Sequence, residues 1–298
     1  MPRHHIDNLI ISPDAPGDLV CSRHVIDSLS KRGNTTVIVP KSLLGLLKGL
    51  FIEILSYEVM PRETLQFVKS RCSTQTSIFD LLCFRSSDDL CQSLEGHTIG
   101  VPDPNMYDRE VLWNIGAEDE THYVVRLTRY LPEYETATTF DIDKWKQCHF
   151  SLVSPPSSKR LALAPGCGIE NCSKRWPMES WIMVASWAID SGMWPVWFLG
   201  PDEKDLVDKA KQIGGEIVSG NWQEVIINHA QCKFGISNDT VHLHIRAHMQ
   251  VRTIGLFIST SSNHWGNYPD GVKCLNVEPF HSEKTVVSVL RSLSGWNL

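Results

Sequence analysis

Short runs of β-branched and apolar residues alternate along this chain with longer segments whose apolar residues recur every three or four positions. Asn8–Ser12 reads NLIIS. Asp18–Arg32 then carries Leu19, Val20, Val25, Ile26 and Leu29 at helical spacing before Gly33-Asn34 closes it. TTVIV (Thr35–Val39) is the next strand-like run, a helical SLLGLLKGL (Ser42–Leu50) follows, and SIFDLLCF and HTIGV supply further strands. Segments 62–71 and 119–130 read as amphipathic helices. This β-α-β-α rhythm predicts an α/β fold: a parallel sheet with covering helices.

The rhythm breaks at VSPPSSKR (Val153–Arg160), a Pro/Ser-rich polar stretch that reads as an interdomain linker. It then restarts. LALAP, WPVWFLG, EIVS, KFGIS and VRTIGLF are predicted strands, separated by predicted helices over 177–191, 202–213, 222–230 and 241–249, with a last helix over 282–293. The expectation is two doubly wound domains, 1–155 and 156–298, which suits a chain of 298 residues.

Charge and cysteine content narrow the function. Lys and Arg number 28 against 34 Asp and Glu, for a net charge of -6, and no basic cluster offsets that balance, which argues against a nucleic-acid partner. None of the nine cysteines forms a C-x-x-C pair, so buried thiols in a reducing cytoplasm are expected rather than a zinc ribbon. Cys167 and Cys172 flank one loop and leave a disulfide there as the alternative. The N-terminus has no apolar signal region. The most apolar segment, Ser42–Leu55, is broken by Lys48 and Glu53 and falls short of the ~20 residues needed to span a bilayer. It is compatible with amphipathic docking on a membrane surface.

Ligands of doubly wound sheets bind outside the carboxyl ends of the strands, so the loops that follow strands hold the candidates. In SPDAPGD (Ser12–Asp18), Gly17 allows a tight turn, and Asp18 reads as a helix N-cap or as a general base. APGCGIENCSKRWP (Ala164–Pro177) offers backbone N–H groups with Ser173 and Lys174, suited to a diphosphate, or else a solvated loop. In SNDTVHLH (Ser237–His244), Asp239 and Thr240 stand at a helix start that favours phosphate. His244 shares that face one turn on, and His242 competes with it from another side of the helix. Asp202 or Glu203 in FLGPDE reads as a ribose-binding carboxylate or as a dipole-favoured first turn. STSSNHWGNYPDG (Ser259–Gly271) reads as a binding loop or as packing through His264, Trp265 and Tyr268.

Four of these segments, GDLV (Gly17–Val20), PGxG…SKRWP (Pro165–Pro177), SNDT…H (Ser237–His244) and STSSNHWGNY (Ser259–Tyr268), together resemble the glycosyltransferase family 9 heptosyltransferases of lipopolysaccharide synthesis. The resemblance implies GT-B architecture: two Rossmann-like doubly wound domains facing a central cleft, an N-terminal acceptor domain and a C-terminal donor domain. It implies inverting transfer of a sugar, commonly heptose from ADP-heptose, onto a lipopolysaccharide-core or related cell-envelope glycan, with neither metal nor cofactor. Asp18 is then the base for the acceptor hydroxyl, and Lys174 contacts donor phosphate. Asp239, Thr240 and His244 grip the nucleotide-sugar, Asp202 or Glu203 holds ribose, and Gly17 and Ser173 are further donor-binding positions. It further implies a cytoplasmic protein in peripheral contact with the inner membrane. Two residues depart from the family pattern: Val241 stands where Gly is usual, and His242 where a small or apolar residue is usual. The alternatives are an epimerase- or hydrolase-like GT-B enzyme and a non-catalytic nucleotide-sugar-binding module.

Overall fold

The computed structural model describes residues 5–50, 52–57, 62–81, 94–100, 109–111, 121–135, 137, 150, 156–266, 268 and 271–296. The chain divides into two compact units, Met1–Cys148 and His149–Leu298.

The first unit holds strands β1 (Asn8–Ile11), β2 (Thr35–Pro40), β3 (Glu53–Tyr57), β4 (Ser77–Asp80), β5 (His97–Gly100) and β6 (Arg109–Glu110), all parallel, in the order β3-β2-β1-β4-β5-β6. The chain starts at the centre and winds outward twice, which leaves a switch point between β1 and β4. All four residues of β1 are buried, which is why its sequence is continuously apolar after Asn8.

Helix α1 (Pro16–Ser30) begins earlier than the apolar periodicity suggested. Pro16 occupies its first position, where a fixed φ and a missing N–H cost nothing, and Ala15 is the N-cap. Asp18 is therefore a first-turn residue and not the cap, and Gly17 lies inside the helix rather than in a tight turn. The SLLGLLKGL segment forms a 3-10 turn, Lys41–Leu47, in place of the expected helix. Leu43, Leu46 and Leu47 bury the apolar side of this turn, and the fully buried Arg23 of α1 donates to the Leu46 and Lys48 carbonyls. Two further helices, α2 (Arg62–Lys69) and α3 (Tyr123–Thr128), fall within the segments read as helical.

The second unit holds β7 (Ser157–Ala164), β8 (Trp194–Phe198), β9 (Glu216–Val218), β10 (Cys232–Asn238), β11 (Arg252–Phe257) and β12 (Val272–Asn276), again all parallel, in the order β12-β11-β10-β7-β8-β9. Counted from its own first strand, this is the same order as in the first unit, with the switch point between β7 and β10. The polar residues Ser157–Arg160, read as linker, are the start of β7: Ser157 registers with Cys232 and Arg160 with Trp194. Residues 153–155 of that stretch lie outside the described residues.

Helices α4 (Met178–Asp190), α5 (Lys204–Ile213), α6 (Trp222–Gln231), α7 (Val241–His248), α8 (Ser262–Trp265) and α9 (Glu283–Ser294) complete the unit. Trp176, Trp181, Trp197, Leu161, Phe234, Ile254 and Val286 belong to one continuous buried core. Truncating Trp181 there costs about 3–5 kcal/mol by the usual large-to-small rule.

Elsewhere the sheet contacts a charge. Arg246 of α7 is fully buried and donates to Thr253 Oγ1 at 2.8 Å and to the Arg252 and Cys232 carbonyls at 3.2 and 3.3 Å. Gly235 of β10 makes room for it: a Cβ at that position would stand 2.4 Å from Arg246 Nε.

Candidate functional site

The loops that leave β7 and β10 meet at the switch point of the second unit. Asn238, the last residue of β10, is fully buried; its Nδ2 donates to Pro165 O at 2.7 Å and its Oδ1 accepts from Trp176 N at 3.4 Å. That amide ties the β10 end to the glycine-bearing loop after β7. The loop carries Lys174 back over the start of α7, where Nζ lies 3.2 Å from Asp239 Oδ2. The Lys174 side chain is 26% exposed and Asp239 is 2% exposed, so the lysine keeps access to solvent while its anchor stays buried.

Asp239 also accepts from Thr260 Oγ1 at 2.7 Å, and His244 Nε2 lies 3.9 Å from its Oδ1. Thr240 is the N-cap of α7, in extended backbone, with no side-chain capping bond. The first N–H groups of that helix therefore add their partial positive charge to Lys174. A diphosphate is the ligand this arrangement suits best.

His244 is buried, and its Nδ1 meets the Tyr268 hydroxyl at 2.5 Å. Burial pushes its pKa down to about 4; Asp239 opposes the shift and Lys174 adds to it. At neutral pH the imidazole is thus an uncharged hydrogen-bonding group. Ser173 Oγ lies 3.3 Å from Ser259 Oγ at the exposed rim. Of the sequence candidates, the structure brings together Ser173, Lys174, Asp239, Thr240 and His244. Asn238, Thr260 and Ser259 were missed, and Tyr268 was read as binding or packing and does join the site. All three missed residues sat inside motifs already singled out, but their partners lie on loops that follow other strands: Pro165 and Trp176 for Asn238, Ser173 for Ser259 and Asp239 for Thr260.

The two acidic candidates after β8 separate. Asp202 is exposed. Glu203 is 5% exposed, and its carboxylate accepts from the backbone N–H groups of Cys167, Gly168 and Gly200 at 3.1, 2.9 and 2.5 Å, with Arg175 at 3.9 Å. It therefore pins the β7 and β8 loops to each other. Gly166 is required beside it, since a Cβ there would stand 2.4 Å from the Glu203 carboxyl carbon. Cys167 is a free thiol whose Sγ donates to Asn171 O at 2.8 Å.

In the first unit, Asp18 is half-buried in the opening turn of α1, beyond the carboxyl end of β1, and Gly17 precedes it with similar exposure. Tyr57 ends β3, and its phenol is raised above the usual range by burial and then by the charge of Asp14. This end of the first sheet thus carries Asp14, Asp18 and Tyr57.

Two doubly wound parallel sheets of this order, the second with a cation and a helix start at its switch point, have the plan of the GT-B class. Residues 119–291, more than half of the chain, match glycosyltransferase family 9 (heptosyltransferase), and the chain belongs to that family. Its fold is similar to E. coli ADP-heptose lipopolysaccharide heptosyltransferase II, with a TM-score of 0.70 and 16% identity over 97% of this chain and 98% of the other. It is similar to E. coli heptosyltransferase WaaC with ADP, with a TM-score of 0.74 and 15% identity over 97% and 99% of the two chains. A family 9 glycosyltransferase from Veillonella parvula has a TM-score of 0.70 and 15% identity over 96% and 91%. No curated protein matches the chain by sequence.

Proposed function

We propose that the chain transfers a heptose from ADP-heptose, with inversion and without a metal ion, onto a lipopolysaccharide-core or related cell-envelope glycan. One observation carries this reading: the partly exposed Lys174 ammonium, held by buried Asp239 against the N-terminus of α7. As the donor's glycosidic bond breaks, negative charge develops on the departing diphosphate. A fixed ammonium and helix N–H groups stabilise that charge most where it is greatest, which can stand in for a metal ion. Asp18 of the first unit takes the proton of the attacking acceptor hydroxyl.

Asp202 is the carboxylate left for ribose, because three N–H groups already occupy Glu203. Neutral His244, Thr240 and Ser173 complete the grip on the donor, and Gly17 keeps the Asp18 turn slim. The ADP-linked donor is supported by related folds: WaaC has been seen with ADP and with ADP-2-deoxy-2-fluoro heptose. No described helix is long and apolar enough to cross a membrane. The proposed setting is the cytoplasmic face of the inner membrane, where a glycolipid acceptor is met peripherally.

The test is product formation with ADP-heptose, with and without acceptor, alongside melting shifts against ADP-, UDP- and GDP-linked sugars. Transfer only with acceptor supports the reading. Turnover without acceptor points to a hydrolase or epimerase. Nucleotide binding with no turnover points to a non-catalytic module, the reading that Val241 at the first position of α7 favours, since its Cβ narrows the approach to phosphate.

A further inference from the structure

Helices α6 and α7 enclose polar rings between them. His229 of α6 is fully buried and lies flat on Phe198 at the end of β8, with ring centroids 3.6 Å apart and planes 6° apart. Its Nε2 is 2.9 Å from Nδ1 of His242, in the first turn of α7. Its Nδ1 is buried with no hydrogen-bond partner among the described residues. A buried N–H without an acceptor is rarer and costlier than a buried acceptor without a donor. The His229 proton therefore sits on Nε2 and is donated to His242 Nδ1.

Both rings are neutral. Burial, then His242 and Arg246, hold His229 well below the usual histidine range; burial and then Arg246 push His242 down to about 4. A neutral histidine that accepts at Nδ1 carries its proton on Nε2. The pair therefore turns His242 Nε2 into a fixed N–H donor, on a ring that is only partly buried. Trp222, the first residue of α6 and also half-buried, flanks that ring with centroids 6.2 Å apart.

Position supplies the ligand. Phe198 ends β8, Trp222 follows β9 and His242 follows β10, all at the carboxyl edge of the sheet. His242 and His244 are two positions apart on α7, about 200° around the helix. His244 turns toward Asp239 and Tyr268, and His242 toward α6. A diphosphate on the N-terminus of α7 leaves two directions for the nucleoside. Doubly wound folds hold ribose beside the strand next to their first one, here β8.

Resting on the nucleotide-sugar reading above, we infer that Trp222 and His242 form the seat of the donor nucleobase. Trp222 flanks the base face, and His242 Nε2–H donates to a ring nitrogen of adenine. His229 is a positioning residue that sets the tautomer.

The experiment is calorimetric titration of the full chain with ADP and with inorganic pyrophosphate, together with donor KM and kcat. His242→Leu and Trp222→Ala are expected to weaken ADP binding about tenfold and raise donor KM with little change in kcat, since each removes a single ground-state contact. Pyrophosphate binding stays as in wild type. His242→Gln, which keeps an N–H donor, restores most of the affinity. His229→Leu releases the tautomer, read from the 15N shifts of His242. Wild-type ADP affinity in both His242→Leu and Trp222→Ala overturns the inference while the nucleotide-sugar reading stands. Equal loss of ADP and pyrophosphate overturns it in favour of a packing role. A wild type that binds no nucleotide overturns both.

Discussion

Lys174 and Asp18 divide the proposed chemistry between binding and proton transfer, and substitution separates the two roles. Lys174→Ala removes a charge-assisted contact of about 1.5–3 kcal/mol, so ADP affinity should fall roughly 10- to 150-fold by titration. The melting temperature should also fall, because buried Asp239 loses one of its partners. Asp18→Asn removes a general base, so kcat should fall by about 10²–10⁴ while ADP affinity stays level. An Asp18→Asn variant with wild-type kcat would remove Asp18 from the mechanism. Glu203→Gln places an amide NH2 against backbone N–H groups, and should lower stability by about 1–3 kcal/mol by thermal denaturation, whatever its effect on donor binding.

At the scale of elements, Gly235→Ala tests the buried guanidinium beneath α7. The added Cβ meets Arg246 Nε, and a cost of about 1–3 kcal/mol is expected in a denaturant titration, with α7 and its donor loop loosened. Gly235 was legible in the sequence only as one residue of the strand-like KFGIS. Strand β1, buried along its whole length, was plain in the sequence because its apolar run leaves one interpretation. The edge strand β12, VKCLN, alternates weakly and stands outside every element predicted from the sequence. Proline decided the start of α1 against the apolar period, and the short spacing of Leu43, Leu46 and Leu47 was served by a 3-10 turn.

For the whole molecule, three imidazoles, two buried and one partly buried, couple folding to pH. His242 and His244 titrate at about 4 in the fold, against about 6.5 in an unfolded chain, and His229 shifts in the same direction. Between those values the unfolded state binds more protons. Stability is therefore full above pH 6.5 and falls as the pH drops toward 4, by about 3 kcal/mol for each of His242 and His244 at the acid limit, with His229 acting in the same direction. Melting temperatures should decline steadily from pH 7 to pH 4.5, and His242→Leu should shallow the slope; a flat profile would mean the rings are protonated in the fold. The sequence by itself determined the alternation of strands and helices, and hence two parallel α/β units, because periodicity and turn residues are local properties of the chain. It also singled out Asp18, Lys174, Asp239, Thr240 and His244 as candidates, because ligands of such sheets gather where strands end. Only the tertiary structure decided that Glu203 is spent on backbone N–H groups, that Thr260 and Tyr268 join the site, and that His229 orients His242. Each of these depends on the pairing of β7 with β8, of β10 with β11 or of α6 with α7, contacts between residues distant in the chain that no local pattern records.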